Sequence, residues 1–99
     1  MFSHIVVFWT DPANPNATEE LLAGAEKYLR PIPLVQHYHC GRMATSERKD
    51  VVDQSYQVAL NLIFETKAQQ DAYQVHPLHL DFITNCKHLW KRVVVYDFE

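Results

Sequence analysis

The chain has 99 residues, 47% of them hydrophobic and only two of them glycine, which sizes it for one domain, residues 1–99, around one core. Its nine basic and twelve acidic residues are interspersed and sum to a formal net charge of -3, so no basic stripe is present to neutralise phosphates. Nucleic acid and anionic membrane surfaces are therefore not expected partners.

The opening stretch FSHIVVFW is apolar, but it is too short to span a bilayer and has neither a charged leader nor a small-residue cleavage site. It reads as a strand of a cytoplasmic protein. Aromatic and β-branched residues carry this strand from His4 to Thr10, and DPANPN stops it. Asn16 with Glu19 three residues later fits a helix start, and Leu21, Leu22, Ala25, Tyr28 and Leu29 recur at helical spacing until Pro31 and Pro33 forbid continuation. Leu34 to Arg42 alternates as a second strand. A charged loop follows, in which Glu47, Arg48, Lys49, Asp50 and Asp53 mix both signs and are expected to stay solvated.

Tyr56, Val58, Leu60, Leu62 and Phe64 form a period-two stripe, the third strand. Thr66 suits the cap of a short helix running through Gln74, and Pro77 suits the first turn of another. His79, Phe82, Ile83, Cys86 and Trp90 fall on one stripe of that last helix, which turns His79 inward. Arg92 to Phe98 closes the chain as a Val-rich fourth strand. Cys40 and Cys86 lie among apolar neighbours and read as buried free thiols.

The order β-α-β-β-α-β, with the second helix broken near Pro77, gives an α+β ferredoxin-like fold: a four-stranded antiparallel sheet with helices on one face. The first strand is apolar on both sides, with His4, Val6 and Phe8 alternating against Ile5, Val7 and Trp9. An antiparallel sheet covered on one face usually shows polar residues on the other. Two-sided apolarity therefore predicts that a second copy packs sheet to sheet, making a homodimer that resembles a barrel.

The segment Tyr73-Gln-Val-His-Pro-Leu-His79 concentrates the candidate chemistry. A bend at Pro77 can bring the Tyr73 phenol and the His79 imidazole toward one cavity. There His79 is suited to remove a proton beside a carbonyl while Tyr73 donates to the oxygen that gains charge, with Asp97 holding the imidazole in the needed tautomer. The alternative is a structural set, in which His79 is a core histidine satisfied by Asp97 or the backbone and Tyr73 packs its ring. His4 lies on an otherwise apolar strand face and counts with His76 as a pocket residue, although His76 just before a proline also suits a helix cap. His37 and His39 project together from the second strand, but two imidazoles do not make a metal site, and none is assigned. His88 near a helix end suits a surface role. No phosphate loop, dinucleotide fingerprint or haem attachment motif occurs, and the acid-base chemistry calls for no cofactor.

HIVVFW, Gly41-Arg42, SYQVALNLIFE, AYQVHPLHLDFI and VVVYDFE together resemble the stress-responsive α/β-barrel (Dabb) family along essentially the whole chain. The resemblance implies a ferredoxin-like homodimer. A plant polyketide cyclase of that family carries out an aldol-type ring closure. Its pattern implies a catalytic pair at Tyr73 and His79, a pocket histidine at His4 and a last-strand aspartate at Asp97. His37, Tyr38 and His39 and the loop ERKDVVDQ depart from the cyclase, so its substrate does not carry over. The expected function is a small-molecule pocket, cyclase- or isomerase-like in its His/Tyr chemistry, with a noncatalytic stress-associated dimer as the alternative.

Overall fold

A computed structural model describes residues 1–48 and 50–99, so Lys49 of the charged loop lies outside the described residues. The chain runs β1 (Phe2–Thr10), α1 (Ala17–Tyr28), β2 (His37–Arg42), β3 (Val58–Phe64), α2 (Lys67–Gln74), α3 (Pro77–Cys86), a 3-10 turn (Lys87–Leu89) and β4 (Trp90–Phe98). The strands form one sheet in the order β2-β3-β1-β4, and every neighbouring pair is antiparallel. β1 and β2 thus run parallel with β3 between them, and β3 and β4 flank β1. This is the split arrangement of a ferredoxin-like fold.

Strand pleating sorts the side chains. Phe2, His4, Val6 and Phe8 of β1 and Val58, Leu60, Leu62 and Phe64 of β3 are buried, and they share the face that carries the helices. Leu21 and Ala25 of α1, Leu29 at its C-cap, and Phe82 and Cys86 of α3 close that core from above. The two helices approach closely at Gly24, where an added Cβ would lie 2.5 Å from the Cys86 Sγ. Gly24 is there because a side chain would hold α1 off α3.

Local chemistry accounts for the element ends, with some differences from the sequence expectation. Thr66 caps α2 by accepting from the Gln69 N–H at 3.2 Å. Asn16 stands at the N-cap of α1 without a side-chain cap bond; instead the Asn14 side chain accepts from the Asn16 N–H. β2 begins at His37 rather than Leu34, because the Val35 N–H bonds back to the Ile32 carbonyl in a turn that packs Leu34 and Val35 against the core. Trp90 opens β4 instead of ending a helix, since the helical path tightens into the 3-10 turn before it. Its indole still joins the core, stacked on Phe82 at 5.8 Å and tilted on Phe8 at 5.0 Å.

Among the described residues no helix covers the second sheet face. Ile5, Val7 and Trp9 of β1 lie there beside Val94, Tyr96 and Phe98 of β4 and Ile63 of β3. His37 and His39 sit at its β2 edge, exposed, opposite Ile63 and Asn61. Arg92 lies over the Trp9 ring at 4.1 Å. Glu47, Arg48, Asp50 and Asp53 are exposed, as is His88.

Candidate functional site

Between the helices and the covered face of the sheet lies a cavity of about 180 Å³. His4, Val6, Phe8 and Leu60 form its floor, Tyr73, Gln74, His79, Phe82 and Ile83 come from α2 and α3, and Val93 and Val95 of β4 stand at one side. The cavity opens at this side, because β4 is an edge strand and Val93 and Val95 stay 42% and 47% exposed.

The floor has a chemical gradient. His4 and Phe8 are four residues apart on one strand, about 13 Å at the usual rise, so the histidine marks one end and the phenylalanine the other. At the Phe8 end the rings of Phe8, Phe82 and Trp90 pack together. At the His4 end, Tyr73 stands between two imidazoles, its ring centroid 5.8 Å from His4 and 4.8 Å from His79, with Phe64 behind it at 5.1 Å.

Backbone chemistry at the α2–α3 joint places this group. His76 is extended because proline follows it, and Pro77 at the first helical position loses no hydrogen bond. The His76 N–H bonds the Tyr73 carbonyl at 3.1 Å, ending α2, and the His76 Nδ1 accepts from the Leu78 N–H at 3.1 Å, starting α3. His76, expected at the pocket, is thus the cap between the two helices and does not line the cavity.

Asp97 also differs from expectation. The antiparallel register sets it directly opposite His4, and its Oδ1 lies 2.6 Å from the His4 Nδ1. The carboxylate therefore orients His4, not His79. With Nδ1–H donated to Asp97, Nε2 is the His4 nitrogen left for a ligand. Gln70, buried on α2, brings its amide to 3.4 Å from the same Nδ1 and bonds Gln74 at 3.0 Å.

The His79 Nδ1 is buried and makes no hydrogen bond of ordinary geometry among the described residues, although the Gln74 main chain lies close enough to act on the ring as a weak partner. A buried polar atom without a good partner costs about 1–3 kcal/mol, so its persistence calls for a reason. Burial lowers the His79 pKa; the Gln74 main chain opposes that shift and the nearby His4 ring adds to it. His79 is accordingly neutral at pH 7. Burial, with Tyr38 adding a smaller push, raises the Tyr73 phenol well above its usual range, so it stays protonated. One group can accept a proton and the other can donate a hydrogen bond. Burial also pushes the Cys40 thiol up to about 11 and raises Cys86, so neither cysteine is a thiolate at neutral pH. Among the described residues no cluster of three or more His, Cys, Asp or Glu side chains is arranged to hold a metal.

The sequence reading picked out His4, Tyr73 and His79, and the fold gathers all three. It missed Gln70, Gln74, Phe64 and Trp90. Gln70 sits three residues before Tyr73, one turn away on the same helical face, and that spacing was the available signal.

The family model of the stress responsive A/B barrel domain matches residues 2–99. A stress-response A/B barrel domain-containing protein of Arabidopsis thaliana, At5g22580, is 29% identical over 99 residues, covering 98% of this chain and 84% of its own. A dimeric ferredoxin-like protein of unknown function from Thermobifida fusca superposes with a TM-score of 0.77 at 20% identity, covering 98% of this chain and 88% of that one. The hydroxynitrile lyase of Passiflora edulis superposes with a TM-score of 0.79 at 16% identity, covering 98% and 90%. At such identities these two structures speak for the fold alone. With the family model spanning nearly every residue, the chain belongs to the stress-responsive A/B barrel domain family.

Proposed function

We propose that residues 1–99 act as one domain, that two copies pair through their open sheet faces, and that each protomer uses its cavity to bind and transform a small, partly apolar carbonyl compound. The observation that carries this reading is the neutral His79, its ring centroid 4.8 Å from that of a protonated Tyr73, at the polar end of an apolar slot. His79 is the base. Its buried Nδ1 carries the hydrogen of the neutral ring, so Nε2 takes the proton from the carbon beside the carbonyl. The electron pair moves to the carbonyl oxygen, which receives a hydrogen bond from the Tyr73 hydroxyl. His4, held by Asp97, positions the substrate from the facing strand. Asp97 acts through His4.

An apolar cavity of about 150 Å³ holds a benzene molecule, so 180 Å³ suits a single ring or a short chain. The family's fold hosts at least one enzyme, the hydroxynitrile lyase, and its relatives include dimers, which supports both halves of the reading. No cofactor enters the scheme. A second reading, a noncatalytic dimer with structural histidines, draws on the His4–Asp97 bond and the His76 cap, each of which gives a histidine a structural partner.

A metabolite-binding screen by native mass spectrometry, run on the wild type and on His79→Ala, tests the two. A bound compound that is lost or weakened at least about tenfold in the variant supports the pocket. Identical behaviour of the two proteins overturns it in favour of the structural reading.

A further inference from the structure

We infer that the cavity selects uncharged carbonyl compounds over carboxylates of the same shape, an inference that rests on the carbonyl-pocket reading above. Among the described residues lining the slot none is Lys, Arg, Asp or Glu. Its polar side chains are two imidazoles, a phenol and the Gln74 amide, gathered around Tyr73 at one end, with the Trp90 indole at the other. The Tyr73 hydroxyl and the Gln74 amide can donate to a carbonyl oxygen, while the free imidazole nitrogens are acceptors.

A carboxylate needs more than hydrogen bonds, because leaving water for an apolar slot costs it far more than it costs an amide or ketone unless a cation receives it. Neither imidazole supplies one. His4 already has a carboxylate, Asp97, at 2.6 Å, so a proton on its ring would only balance that charge. His79 lies in a half-buried position whose surroundings disfavour its charged form. Asp97 moreover presents its own negative charge beside the polar end, where an incoming carboxylate group would sit. Arg92, the cation on β4 nearest the mouth in sequence, projects from the opposite sheet face, over Trp9. The slot is therefore matched to a neutral head group and a hydrocarbon body.

Benzamide and benzoate have nearly the same shape and differ by one charge at pH 7.5, and acetophenone serves as a second neutral carbonyl probe. Titration of the full chain with each, followed by amide and side-chain NMR shifts at Tyr73 and His79, reads the preference directly. The expected result is saturable binding of benzamide and acetophenone, with benzoate at least about tenfold weaker. Benzoate binding as tightly as benzamide, or more tightly, overturns the inference and leaves the carbonyl pocket standing. Failure of all three to bind at millimolar concentration removes the carbonyl-pocket reading and the inference with it. Val95→Arg supplies the missing cation from the mouth, where a long side chain reaches inward without being buried. This variant is expected to gain at least about tenfold in benzoate affinity; no gain shows that charge is not what rejects the carboxylate.

Discussion

On the helix side of β1, Phe2, His4, Val6 and Phe8 are all at least 93% buried, whereas Ile5 and Val7 on the other side are only half-buried and the neighbouring Tyr96 and Phe98 are 59% and 57% exposed. Both faces are built from the same kinds of residue. They differ in what accompanies them. The covered face includes polar side chains at fixed places, His4, Gln70, Tyr73 and His79, and every one of them borders or supports the cavity. The open face offers a broad apolar surface rimmed by His37, His39 and Arg92. A face that closes within the chain can hold buried polar groups because most of their partners are built in. An open face has only area to offer.

The sharpest way to break this contrast is Val7→Asp, which puts a carboxylate in the middle of the open face and leaves the cavity untouched. The wild type is expected to scatter light as twice 11.6 kDa and the variant as one chain of 11.6 kDa. A wild type that is already a well-folded single chain at micromolar concentration would remove the pairing from the proposal. Tyr73→Phe addresses the covered face. Removing the hydroxyl from a ring that stays buried is expected to change stability by less than about 1 kcal/mol while lowering ligand affinity or turnover about tenfold or more. A loss of stability without loss of binding would mark Tyr73 as structural.

Gly24→Ala tests how tightly the covered face is closed. The new methyl meets Cys86 Sγ, and the expected cost is about 1–3 kcal/mol in urea unfolding despite the better helix propensity of alanine. Adding Cys86→Ala should return most of it. The smallest effect concerns pH. The folded-state pKa of His79 is depressed, so its contribution to stability is complete above the unfolded value of about 6.5 and is lost as pH falls from there through the folded value. His79→Gln should flatten the decline in stability between pH 7.5 and 5. An unchanged slope would show that another group carries it.

Strand and helix identities were legible because period-two and helical stripes are local: Val58 to Phe64 and Leu21 to Leu29 could hardly be read otherwise. The break at Pro77 and the Thr66 cap were legible for the same reason. The partner of Asp97 was not. Whether it meets His4 or His79 depends on how the first and last strands slide against each other, a register that no short window of sequence contains. The same limit explains Trp90. Its spacing from Phe82 and Cys86 fits a helical stripe, yet tertiary contacts with Phe8 draw the chain into β4 one residue after the 3-10 turn. The pocket histidines could be nominated from sequence, whereas the burial that keeps His79 neutral is a property of packing.

On one uninterrupted α-helix, residues six apart point about 120° away from each other and are separated by about 9 Å of rise. Tyr73 and His79 nevertheless bring their ring centroids to 4.8 Å. The difference comes from the corner that His76 and Pro77 make between two short rods, so the reach from phenol to imidazole belongs to the corner and not to either rod. Lengthening or shortening that corner would respace the pair while the sheet beneath kept its shape, so two residues set the width of the cavity's polar end.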